Sequence, residues 1–186
     1  MIRIAVVGDI GSGKSYFAKK FGYPVFNADV EVSKLYKKNR KCYYKLKKAL
    51  PNYITSFPVK KNKLLKAILA DHYNLKKIIK IIHPEVRHQM NIFLKKNKNK
   101  KFVVLDIPLL MENKLNKKND ILVFIDAKKK EIDKRLKKRN NESSKILKKF
   151  QLPVEYKKRK ADFIIKNNFR DHLAKKNAKK ILGKIF

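Results

Sequence analysis

Apolar residues along this chain fall into five short runs separated by longer amphipathic stretches. Ile2, Ile4, Ala5, Val6 and Val7 form the first run, and residues 23–26, 102–105, 121–125 and 163–165 form the others. Each is too short for a helix and unbroken rather than alternating, as in a strand buried on both faces. Helical stretches lie between the runs. This alternation predicts an α/β fold with a five-stranded parallel sheet covered by helices on both faces and linked by right-handed crossovers.

A long helical insert, about residues 30–97, separates the second run from the third. Its clearest element carries Leu75, Ile78, Ile79, Ile82, Val86, Met90 and Phe93 on one helical stripe. Pro84 lies inside it and cannot donate to the Lys80 carbonyl, so a kink or restart is expected near His83. Pro51 and Pro58 bracket an expected loop around residues 52–56. Residues 128–150 are highly charged, with Ile132, Leu136 and Ile146 as their main apolar content, and read as a helical flap. A final helix at about 171–185 would dock through Leu173, Ala178, Ile181, Leu182 and Ile185.

At 186 residues, the chain is long enough to bury a full core in one domain, with an inserted lobe and a lid. A single cysteine, Cys42, rules out an internal disulfide and suits a reducing compartment. No apolar run approaches the ~18 residues of a membrane span. The opening Met1-Ile-Arg leads straight into the first strand, so no signal peptide is expected and a cytoplasmic location is. The formal charge of +35 would suit a polyanion partner such as nucleic acid. The lysines are spread along the chain, however, and only 7 of the 50 basic residues are Arg, the residue that phosphate recognition favours. High Lys, Asn and Ile together also fit an AT-rich coding bias. Nucleic acid is therefore not the expected partner.

The first strand runs into Gly8-Asp9-Ile10-Gly11-Ser12-Gly13-Lys14-Ser15, a complete G-x-x-x-x-G-K-[ST] sequence, and residues 16–21 can continue as a helix. Strand, glycine-rich turn and helix is the setting of a phosphate-binding loop. Gly11 and Gly13 let backbone N–H groups turn inward, Lys14 can reach the outer phosphates, and the Ser15 hydroxyl can ligate Mg²⁺. The N-terminus of the helix adds positive potential.

Ligands of an open parallel sheet bind beyond the carboxyl ends of its strands, where Asp29, Asp106 and Asp126 all fall. Phosphoryl transfer needs an orienting or deprotonating group for the acceptor and cations for the moving charge. Asp29 is the candidate base, although an isolated Asp at this place would more often cap the following helix. Asp106 can hold a water or the substrate. Arg135 and Arg139 are four residues apart and share a helix face from which they could close over phosphates. A solvated face is the commoner use of such a pair. No His/Cys cluster with zinc spacing is present.

Taken in order, these motifs resemble the dephospho-CoA kinase family. Gly8 to Ser15 is similar to its ATP loop, and Pro24-Val25-Phe26-Asn27-Ala28-Asp29 to its acidic motif. His83-Pro84-Glu85-Val86-Arg87 and Asp106-Ile107-Pro108-Leu109-Leu110-Met111-Glu112 match its substrate segments, the second being the most family-specific stretch. Arg135 and Arg139 resemble its lid. Gln151-Leu152-Pro153, Lys157 and the stretch from Ala161 to Asn167 match its closing motif. The resemblance implies a P-loop kinase fold: a three-layer α/β/α core (about 1–29, 98–127 and 160–186), a helical CoA lobe (about 30–97) and a lid (about 128–159). It implies transfer of the ATP γ-phosphoryl to the ribose 3′-hydroxyl of dephospho-CoA, with Mg²⁺, in a monomer whose partners are small molecules. Asp29 would activate that hydroxyl, and Lys14, Arg135 and Arg139 would stabilise the moving phosphoryl. Gly8, Ile10, Gly11, Ser12, Gly13, Lys14, Ser15, Tyr16 and Asn167 would hold ATP, with Asn167 near the adenine. His83, Arg87, Asp106 and Leu110 would border the acceptor.

Several positions depart from the family pattern. Asp9 and Phe169 stand where Gly is common, Tyr16 where Thr is usual, and Asn27 in place of the first Asp of Asp-Ala-Asp. Lys61 lies where an Asp-Arg pair is usual, and the lid is short, with Lys145 near the place of a missing Arg. Two other readings remain: a different small-metabolite or nucleotide kinase on the same core, and a basic nucleic-acid-binding protein that keeps a vestigial ATP loop.

Overall fold

The computed structural model describes residues 1–139, 148, 150–169 and 171–185, apart from the side chains of Lys138, Arg139, Asp171 and His172. The chain divides into two compact units, Met1–Asn27 with Asn97–Phe186, and Ala28–Lys96.

The first unit is built on a five-stranded, all-parallel sheet in the order β2-β3-β1-β4-β5. Its strands are β1 Ile2–Gly8, β2 Val25–Asn27, β3 Phe102–Asp106, β4 Ile121–Ala127 and β5 Phe163–Asn167. Central β1 lies between β3 and β4, and the registers bring the carboxyl ends together. Asn27 pairs with Asp106, Gly8 with Ile125 and Ala127 with Asn167. β2 begins at Val25 rather than at Tyr23. Pro24 has no N–H to offer a ladder, and its carbonyl accepts from Val104 N at 2.9 Å. Tyr23 packs its ring edge against Phe102 instead, with centroids 5.0 Å apart.

Helix α1 spans Lys14–Lys20, starting earlier than expected because Gly13 in the left-handed region already turns the chain into it. Phe17 and Ala18 from α1, and Phe21 at its C-cap, join Ile4, Val6, Phe102, Val104, Val123, Ile125 and Ile165 in one core. Full burial of side chains this large stabilises by roughly 1.5–3 kcal/mol each. The terminal helix, Asp171–Leu182, adds Ala174, Ala178 and Ile181 to the same core and ends three residues before Ile185. At the opposite end of β1, Arg3 and Asp120 form a buried ion pair at 2.8 Å. Burial pushes the Asp120 carboxyl upward, against the lowering pull of the Lys117 backbone bond and of Arg3. The charged segment after β4 forms a helix at Lys129–Arg139 in which Ile132 is buried. Ile146 and Lys145 lie outside the described residues. A further short helix, Val154–Lys160, leads into β5.

The second unit consists of α2 Ala28–Lys38, α3 Arg40–Ala49, α4 Lys61–Ala70 and α5 Tyr73–Lys96. Asn39 caps α3, its side-chain oxygen accepting from Cys42 N at 2.9 Å. The α5 stripe buries Ile78, Ile82, Val86 and Met90 as its spacing predicts. The expected restart at His83 does not occur, and the helix continues through Pro84. The buried residues on both sides, Ile82 and Val86, hold the two halves in place despite the missing N–H. Cys42 is buried, which raises its thiol pKa, and Glu85 raises it further. Among the described residues, no helix is long and apolar enough to cross a membrane.

We number the helix Lys129–Arg139 as α6, Val154–Lys160 as α7 and Asp171–Leu182 as α8.

Candidate active site

The glycine-rich loop follows β1 at the carboxyl edge of the sheet and ends in α1. Ser12 N donates to the Asp9 carbonyl at 3.1 Å, and Phe17 N to the Gly13 carbonyl at 3.0 Å. The amides of Gly11 and Gly13 have no hydrogen-bond partner among the described residues. Lys14 Nζ spans the loop, donating to the carbonyls of Asp9 at 2.9 Å and Gly8 at 3.3 Å. The Ser15 side chain is exposed at the helix start. Unpaired amides, a lysine and a helix N-terminus form a donor set suited to phosphate. The exposed hydroxyl is a hard oxygen ligand, suited to Mg²⁺, which keeps most of its own waters.

Two glycines combine a positive φ with close side-chain neighbours. At Gly13, φ is 96°, and a Cβ would lie 2.6 Å from Asn167 Nδ2. At Gly11, φ is 85°, and a Cβ would meet Ile132 of α6 at 3.2 Å and Leu136 at 3.3 Å. The loop is therefore gripped on one side by the end of β5 and on another by α6.

Asn167 Nδ2 donates to the Ser12 carbonyl at 2.8 Å, and its Oδ1 accepts from Phe169 N at 2.8 Å. This bridge ties the last strand to the loop across 155 residues of sequence. Phe169 sits at φ 61°, the left-handed region where glycine is favoured, and its ring receives the Arg135 guanidinium at 4.4 Å. Arg135 Nε is buried with no hydrogen-bond partner among the described residues. Arg139 is the last residue of α6, and its side chain lies outside the described residues. Ser12 Oγ is likewise buried and unpartnered. Tyr16 packs edge-on against Phe17, and Lys20 stands over its ring.

Asp9 has two partners. Its Oδ1 accepts from Ile10 N at 2.7 Å, so the Ile10 amide is already engaged. The Gln151 amide, oriented by its neighbours, donates to the same oxygen at 2.7 Å and accepts from Lys157 Nζ at 3.2 Å. Lys157 is buried and pairs with Glu112 at 3.2 Å, and Glu112 also accepts from Leu152 N at 3.0 Å. Sequence reasoning missed this network. Its members appear in the matched motifs, but nothing in their spacing says that they meet.

At the β2 and β3 ends, the Asn27 amide donates to the Asp106 carboxylate, and Asp106 is buried. An Asp at position 27 would put two carboxylates together, so the Asn removes a like-charge clash. Asp126 pairs with Lys158 at 3.2 Å. Leu110 is buried at the turn after β3.

The remaining predicted residues belong to the helical unit. Asp29 is exposed and is the second residue of α2. It thus lies within the first turn rather than at the cap, and there a carboxylate complements the helix dipole. His83 is half-buried in α5, and burial first, then the charge of Arg87, lower its pKa below the usual 6.5. Arg87 is exposed one turn further on.

A family model for dephospho-CoA kinase matches residues 2–172. A dephospho-CoA kinase from Wolbachia sp. subsp. Brugia malayi is 34% identical over 169 residues, 87% of each chain. Among solved structures, a Thermus thermophilus protein shares the fold with a TM-score of 0.76 and 24% identity, covering 100% of this chain and 98% of that one. A dephospho-CoA kinase from Campylobacter jejuni does so with a TM-score of 0.66 and 22% identity, covering 98% and 96%.

Proposed function

The chain belongs to the dephospho-CoA kinase family, and from that premise we propose how its own residues divide the work of transfer. The reaction is ATP-dependent phosphorylation of dephospho-CoA to coenzyme A. One observation carries this reading: the family match runs from the phosphate loop through the substrate motifs to the end of the sheet.

Gly11, Gly13 and Lys14 hold the phosphates of ATP, supported by the two unpaired amides and the helix N-terminus behind them. Gly8, Ser12 and Tyr16 shape the loop from below, and Ile10 contributes apolar contact because its amide is taken by Asp9. Ser15 would hold Mg²⁺, which would supply charge neutralisation for the phosphates when bound. Asn167 fixes the loop and borders the base. Arg135 directs its unpaired Nε to the moving phosphoryl, and Arg139 acts from the same helix.

Asp29 accepts the proton of the ribose 3′-hydroxyl, a role supported by its exposed carboxylate two residues past the end of β2 along the chain. His83 and Arg87 contact the acceptor from the helical unit, which serves as the CoA lobe. Asp106 and Leu110 shape the wall beyond β3. The segment about 128–159 acts as the lid. The enzyme works as a cytoplasmic monomer on two small molecules.

The test is direct. Protein incubated with ATP, MgCl₂ and dephospho-CoA should release ADP and coenzyme A in equal amounts. Phosphorylation of nucleoside monophosphates without any coenzyme A would refute the acceptor assignment.

A further inference from the structure

We infer that Gln151 is a positioning residue that holds the Asp9 carboxylate away from the phosphates of the bound nucleotide. This inference rests on the ATP-site reading above. A phosphate loop works by presenting N–H donors, and an anion within it competes with the ligand for them. Asp9 is such an anion, and its Oδ1 already occupies the Ile10 amide at 2.7 Å. Free to rotate, this side chain would carry its negative charge within the same loop as the unpaired amides of Gly11 and Gly13.

Gln151 opposes that rotation. Its amide nitrogen donates to Asp9 Oδ1 at 2.7 Å, while its oxygen accepts from Lys157 Nζ at 3.2 Å. The carboxylate on one side and the ammonium on the other determine which end of the amide faces which. Lys157 is itself fixed, being buried against Glu112 at 3.2 Å. Glu112 also accepts from Leu152 N at 3.0 Å, which pins the backbone next to Gln151. The side chain is therefore anchored at its far end and along its own backbone, so it can act as a stay on Asp9. Asp9 also lines a cavity of about 340 Å³ with Asp126, Lys129 and Val154.

A double-mutant cycle with ADP affinity measured by calorimetry tests this. Gln151→Leu should weaken ADP binding by about 10-fold in the wild-type background and by less than about 2-fold in the Asp9→Asn background. Equal losses in both backgrounds would mean that Gln151 is merely structural and would overturn the inference. Gln151→Glu preserves size, so it guards against misfolding of the leucine variant. It should bind ADP more weakly than wild type, because a carboxylate there repels Asp9 instead of donating to it. ADP affinity equal to wild type overturns the inference. ADP binding needs no acceptor, so wild-type protein that binds ADP but forms no coenzyme A would sink the acceptor assignment alone. Wild-type protein that does not bind ADP would sink both.

Discussion

The Arg135 guanidinium rests 4.4 Å from the centre of the Phe169 ring, and Phe169 takes a backbone conformation of φ 61° to place that ring there. An L-residue with a Cβ is strained in this region by about 1–2 kcal/mol, whereas glycine is not. The Asn167 side chain helps to hold the strained turn by accepting from Phe169 N. Phe169→Gly and Phe169→Ala both delete the ring, but only the alanine retains the strain. The glycine variant should therefore be the more stable of the two by about 1 kcal/mol in urea unfolding. Equal midpoints and slopes would sink the strained-backbone account.

Asp29 lies inside the first turn of α2, exposed to solvent. If it accepts the proton of the acceptor hydroxyl, Asp29→Asn should lower kcat by roughly 10²–10⁴ while leaving ADP affinity close to wild type. Loss of its helix-dipole contribution should cost the folded state about 0.3–1 kcal/mol. Steady-state kinetics beside thermal unfolding separates the two roles. Near-normal turnover would refute the proton-acceptor role.

His83 has a folded-state pKa below its usual 6.5, chiefly because burial disfavours the charged ring and secondarily because Arg87 repels it. The unfolded chain then binds more protons than the folded one as pH falls through 6.5. Stability must therefore fall in that direction, and it is fully present above pH 6.5. His83→Gln removes this contribution. Urea unfolding at pH 7.5 and pH 5.0 should show a smaller acid-side loss for the variant than for wild type, and identical losses would refute the assignment.

Most of the sheet could be read from the sequence because a strand buried on both faces leaves an unbroken apolar run. All five runs became strands. Their ends were less legible: β2 starts at Val25 because Pro24 cannot donate, and β1, β4 and β5 extend to Gly8, Ala127 and Asn167. These extensions carry polar or small residues that no hydrophobic pattern marks, and they include part of the site. The helix did not restart at Pro84, where buried Ile82 and Val86 flank the one missing hydrogen bond.

The chain's own order of residues determined the phosphate chemistry. Backbone amides, a lysine and a hydroxyl at local spacing need only a strand before and a helix after, and both are encoded nearby. The family followed from motifs read in sequence. Tertiary structure alone decided which distant groups meet: Asn167 on Ser12, Phe169 beneath Arg135, Asn27 on Asp106, and Gln151 between Asp9 and Lys157. The reason is physical. Apart from Gln151 with Lys157, these contacts join residues 34 to 155 positions apart, brought together by the parallel register of the sheet, and side-chain partners at such separations leave no periodic trace along the chain.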